Sequence, residues 1–147
     1  MKHRYSILLG CMLCLFAWST AGARSAMQDF SVKGAVESET GKAKLHDVAF
    51  YMSGQKHAKV ARDLGVFTSN KRTNAFGKSD EAACQIAFLS AIISLQNRAT
   101  QLGGDAVVDI KSITKHDDLD SATNFRCAAG NVIANVVLTG RVVKFAK

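Results

Sequence analysis

The segment SDEAACQIAFLSAIISLQNRATQLGG, residues 79–104, constrains this chain more than any other. Ser79 is a good helix N-cap, and Asp80 and Glu81 place negative charge at the positive end of the helix dipole. Gly103 and Gly104 supply the stop signal, so a helix is predicted to run to about Leu102. At the helical period Cys84, Phe88, Ala91, Ile92, Leu95, Ala99 and Leu102 fall on one stripe, the face expected to pack on a sheet. Ile86, Leu89 and Ile93 fall on the opposite side, where a helix lying on a sheet should be polar. Either another segment of the chain covers them, or they form a protein–protein contact patch.

The flanking segments read as strands. Residues 24–43 are polar and weakly patterned, which predicts a flexible leader with at most a short strand near residues 30–36. Residues 44–52 (KLHDVAFYM) and 58–69 (AKVARDLGVFTS) are predicted strands, with Gly65 marking a bulge or close approach. Residues 70–78 read as a polar loop, 105–113 (DAVVDIKSI) as a strand, 114–126 as a charged loop and 127–145 as the last long strand. The predicted class is α+β, a two-layer α/β sandwich. It has a small mixed sheet of about four strands and one long helix, in the order β-β-α-β-β. A right-handed crossover would make 60–68 and 105–113 parallel neighbours, with the last strand antiparallel to 105–113. The whole segment 44–147 is expected to form one domain.

The N-terminus bears on location. Lys2 and Arg4 precede an apolar run from Ile7 to Trp18, then small residues end at Ala21-Gly22-Ala23. That is the pattern of a secretory signal peptide over residues 1–23, too short for a membrane span. Lipidation at Cys11 (LLGC) would leave almost no apolar region before it. No second apolar run of about 18 residues follows, so the mature chain is not expected to span a membrane. Without Lys2 and Arg4, 17 basic residues stand against 12 acidic ones. This balance favours anionic partners, either an envelope polymer or lipid headgroups, and Lys56, Lys59, Arg62, Lys71 and Arg72 are the candidate contacts. Nucleic acid is not expected, because aromatic residues are not interleaved with these bases.

Of four cysteines, Cys11 and Cys14 would leave with the signal. An even count in an exported protein suggests pairing, and Cys84 with Cys127 is the one bridge available. Separate thiols, or a reactive Cys84 near a helix N-terminus, are the alternatives; Asp80, Glu81 and the lack of a CxxC oppose the latter. His46, His57 and His116 have no ligand spacing, and Asp117, Asp118 and Asp120 lack the glycine and distal glutamate of a calcium loop. With no GxSxG, no phosphate loop and no Ser/His/Asp set, no catalytic residue, metal or cofactor is predicted.

The motifs VAFYMSGQKHAKVARDLGVFTS, RATQLGGDAVVDI and CAAGNVIANVVLTG, in this order, resemble the RcsF-like family of outer-membrane envelope-stress sensors; LGGDAVV is also similar to YbjQ-type small domains. The resemblance covers about Val48 to Lys147. It implies a sheet-plus-helix domain with a disulfide near the helix start, and by position Cys84 and Cys127 match one such bridge. It also implies a periplasmic location associated with the outer membrane, and work through an envelope protein partner. The family carries two nested disulfides and a lipidated, proline-rich linker, whereas this chain has two cysteines after residue 23 and no proline. A small ligand- or metal-binding periplasmic module is the second expectation, as the YbjQ-type likeness allows.

Overall fold

The computed structural model describes residues 25–114 and 117–147; the segment read as a signal peptide, with Cys11 and Cys14, and His116 lie outside the described residues. The organising element is the helix α3, Asp80–Gln101. Ser79 caps it by accepting from the Ala82 N–H, and Gly103, at φ +65°, closes it. Cys84, Phe88, Ala91, Ile92, Leu95 and Ala99 are all buried, whereas Leu102 is half out in solvent.

Six strands form one sheet: β1 (Ser25–Ser31), β2 (Ala49–Met52), β3 (Val60–Asn74), β4 (Ala106–Ser112), β5 (Asn124–Gly130) and β6 (Ile133–Phe145). β6 is its spine. β3 pairs along its whole length on one side, while β5 and then β4 pair on the other. β1 extends the sheet beyond β5, antiparallel, and β2 extends it beyond β4, parallel.

The α+β class is as expected, but the strand count and order differ from the four-strand β-β-α-β-β reading. Residues 127–145 are two strands, because Gly130 and Asn131 supply a hairpin turn. The segment 70–74, read as loop, continues β3: Asn70, Arg72 and Asn74 face solvent while Ser69, Lys71 and Thr73 turn inward, the alternation of a one-side-solvated strand. The parallel neighbour of β4 is β2, not the 60–68 strand, which pairs antiparallel with β6.

The largest correction concerns residues 24–43. They are not a flexible leader. Residues 25–31 form β1, followed by two short helices, α1 (Val32–Glu37) and α2 (Glu39–Lys44). Ser31 and Ser38 cap these helices by accepting from the Gly34 and Gly41 N–H groups. The chain turns so tightly between α1 and α2 that a Cβ on Gly41 would sit 2.4 Å from the Val36 carbonyl oxygen. Val32, Ala35 and Val36 stand at helical spacing and join the core cluster. The helix α3 is therefore packed on two sides, by the sheet and by this N-terminal strap, which is why it carries apolar residues on more than one face.

The core runs between α3 and the sheet. Phe88 stacks on Phe125 with ring centroids 4.2 Å apart, and Phe30 from β1 meets Phe125 at 6.0 Å. On the opposite face of the sheet, Ala106, Val108 and Val143 are buried beneath Tyr51, Val60 and Phe145.

Candidate interaction surfaces

Cys84, in the second turn of α3, and Cys127, on β5, both lie at zero exposure and are joined, with an S–S distance of 2.03 Å and Cα atoms 5.9 Å apart. The bond ties the helix start to the sheet, and neither sulfur reaches solvent.

The strap decides the status of Ile86, Leu89 and Ile93. Leu89 is 1% exposed and belongs to the core, while Ile86 and Ile93 are half-buried. The three do not form an open contact patch. Gln96, on the same side of the helix, is buried and fastens the connection between α2 and β2: its Nε2 donates to the carbonyls of His46 and Val48 at 3.0 and 2.7 Å, and its Oε1 accepts from the His46 N–H. Gln96 was not singled out from sequence. A lone amide in line with Leu89 and Ile93 was the available signal that this side is covered by backbone.

A second fastening holds β1. Arg126 on β5 makes a bidentate pair with Asp29 on β1 at 2.7 and 2.9 Å, and also contacts Asp117. The Arg126 hydrogen bond holds the Asp29 carboxyl below its ordinary range, with burial opposing and charge attraction assisting, and Asp29 in turn raises the guanidinium. A carboxyl whose pKa is depressed by folding adds stability above its unfolded value near pH 4, and that stability is lost as pH falls through the lower folded value. Asp29→Asn should therefore lower the urea midpoint slightly at pH 7, as for other surface pairs, and the gap to the wild type should close in acid. Urea titrations at the two pH values check this; a gap that widens in acid would contradict the pairing.

The five candidate anionic contacts do not converge. Lys56 and Lys59 sit in the β2–β3 connection, which also carries His57, and Arg62 is the third residue of β3. Lys71 and Arg72 lie nine and ten residues beyond Arg62 along the same strand, about 30 Å away at the strand rise. Among the described residues no three His, Cys, Asp or Glu side chains are grouped to hold a metal ion. None of the described helices is long and apolar enough to cross a membrane.

Two surfaces emerge that the sequence did not announce. The first is the outer edge of β3. This strand pairs only with β6, so along Val66–Asn74, where the register with β6 is unbroken, every second residue directs its N–H and C=O away from the sheet. No described strand covers that edge. It carries Lys71 and Arg72, and the chain has no acidic residue from Leu64 to Ser79. The second surface is the end of the sheet beyond Asn74. There Phe76, Val132 and Ile133 are 76%, 61% and 52% exposed and, with Arg72, Thr73 and Asn74, line one shallow depression. No family model, no curated protein sequence and no solved structure matches the chain.

Proposed function

We propose that this chain is a non-enzymatic, exported component of the bacterial cell envelope that works by binding another envelope protein, as a stress-sensor-like module or as an accessory part of an assembly. The observation that carries the reading is the free edge of β3. An unpaired, unbulged strand edge recruits an extended segment of a partner through main-chain hydrogen bonds, with side-chain pockets and charges setting the choice of segment. Here the edge is polar and basic, so an acidic extended segment is the complement. Lys71 and Arg72 also blunt the edge against pairing with a second copy of itself, because like charges would be brought together. The bulges at Val60/Arg62 and Asp63/Gly65 confine the usable edge to its second half. The RcsF-like resemblance of residues 48–147 and the signal-like N-terminus support placement in the envelope, and the buried disulfide suits an oxidising compartment.

The test is charge reversal on the edge. Lys71→Glu with Arg72→Glu should abolish a site-specific crosslink from position 68 to the partner and leave the urea midpoint within experimental error. Retention of the crosslink by the double variant would sink strand recruitment at this edge.

A further inference from the structure

We infer that the Phe76/Val132/Ile133 end of the sheet is a docking tip for the surface of an anionic lipid bilayer, a contact that borders the β3 edge and shares Arg72 with it but rests on different apolar side chains. Three observations converge on it. The first is composition. Phe76 belongs to the β3–α3 turn and Val132 to the β5–β6 turn, so two turns bring exposed apolar side chains to one place. An apolar cluster on a surface marks either a protein or a membrane contact.

The second is charge. Both segments that build the tip are free of acidic residues: none occurs from Leu64 to Ser79, nor from Ser121 to Lys147. Arg72 lines the depression and Lys78 follows Phe76 by two residues, both exposed, and neither enters an ion pair among the described residues. Cations around an apolar wedge match an anionic headgroup layer over an acyl interior, since each cation near such a surface adds attraction and the wedge adds burial.

The third is backbone satisfaction, and it favours lipid over protein. A lipid boundary offers few hydrogen-bond partners, so a segment that enters it must already have its polar backbone paired. At this tip the Ala75 N–H donates to the Val132 carbonyl at 2.8 Å, the Phe76 N–H to Asn74 Oδ1 at 2.8 Å and the Lys78 N–H to the Ala75 carbonyl at 3.0 Å. Gly77, at φ +73°, lets the chain close that turn and carries no side chain to shield Phe76. The tip offers hydrocarbon and positive charge outward, and the amides of Ala75, Phe76 and Lys78 are paired within it.

Trp18 is the chain's single tryptophan, so Phe76→Trp in a Trp18→Phe background gives a unique reporter at the tip. On mixing with phosphatidylglycerol/phosphatidylethanolamine vesicles its emission should shift to the blue, with little change on phosphatidylcholine vesicles. In co-sedimentation with the same vesicles, Phe76→Asp should weaken binding at least tenfold, and Phe76→Ser should do so without adding charge. Arg72→Gln with Lys78→Gln should weaken it several-fold at low salt. An unshifted reporter, equal shifts on both vesicle types, or full binding by both Phe76 variants would overturn the inference, the last showing plain adsorption of a basic protein. Crosslinking of position 76 to a protein, with no vesicle binding, would assign the tip to a protein partner instead. Arg72 serves both surfaces, so the two are separated by the Phe76 variants, which should leave the β3-edge crosslink from position 68 in place.

Discussion

Replacing Cys84 and Cys127 together by alanine should cost about 2–4 kcal/mol of folding stability. The bond closes a loop across a sequence separation of 43 residues, and on the chain-entropy account a loop of that size contributes roughly 4 kcal/mol by restricting the unfolded chain. Some of that is offset wherever the unfolded ensemble retains structure. Among the described residues the bond is also the one covalent cross-link between side chains of α3 and the sheet, joining the first half of the helix to β5, the strand that carries β1. Urea unfolding of the wild type, the double alanine variant and the reduced wild type checks the claim. The variant and the reduced protein should share a lowered midpoint. Both sulfurs are at zero exposure, so reductant alone should act slowly at low denaturant and quickly in urea. Rapid reduction of the folded protein would contradict the buried position.

The second large effect is expected at Phe88. Its ring lies at zero exposure, stacked on Phe125 at 4.2 Å with 17° between the planes, and Phe125 in turn meets Phe30 of β1. Phe88→Ala removes the helix's contribution to a cluster that joins α3, β5 and β1 and leaves a cavity between elements that the disulfide holds close together. Substitutions of this kind cost about 3–5 kcal/mol, a large part of the stability available to a domain of this size. Phe88→Leu keeps most of the apolar volume and should cost clearly less. Equal losses for the two variants would contradict a filled, stacked site between Phe88 and Phe125.

How much of this could be read from the sequence depends on the range of the forces involved. The long helix was legible because its signals are local: Ser79, Asp80 and Glu81 at its start, Gly103 after its end, and an apolar stripe between. The inward position of Cys84 followed from the same stripe. The N-terminal strap was not legible. β1 is held by pairing with a strand about a hundred residues away, Asp29 opposite Arg126, and α1 and α2 are one-turn-and-a-half helices stabilised by the face of α3 they cover. Helices that short have no stability of their own, so propensity does not announce them. The unexpected apolar side of α3 was the trace they left, and Val32, Ala35 and Val36 at helical spacing were the complementary trace. Polar residues in 70–74 hid the end of β3, because an edge strand with a solvated face need not look apolar. The tip was hidden for a different reason: Phe76 and Val132 are over fifty residues apart, and only the β3–β6 pairing brings them together.

The central claim is that partner contact has moved from the outer side of α3, which the strap covers, to the edge of β3. The most direct measurement places a photoreactive amino acid at Asn70 in one strain and at Ile86 in another, then irradiates intact cells. The account predicts a discrete envelope-protein adduct from position 70, lost on Lys71→Glu with Arg72→Glu, and none from position 86. A strong adduct from position 86 with position 70 silent would contradict it and return the interaction surface to the helix.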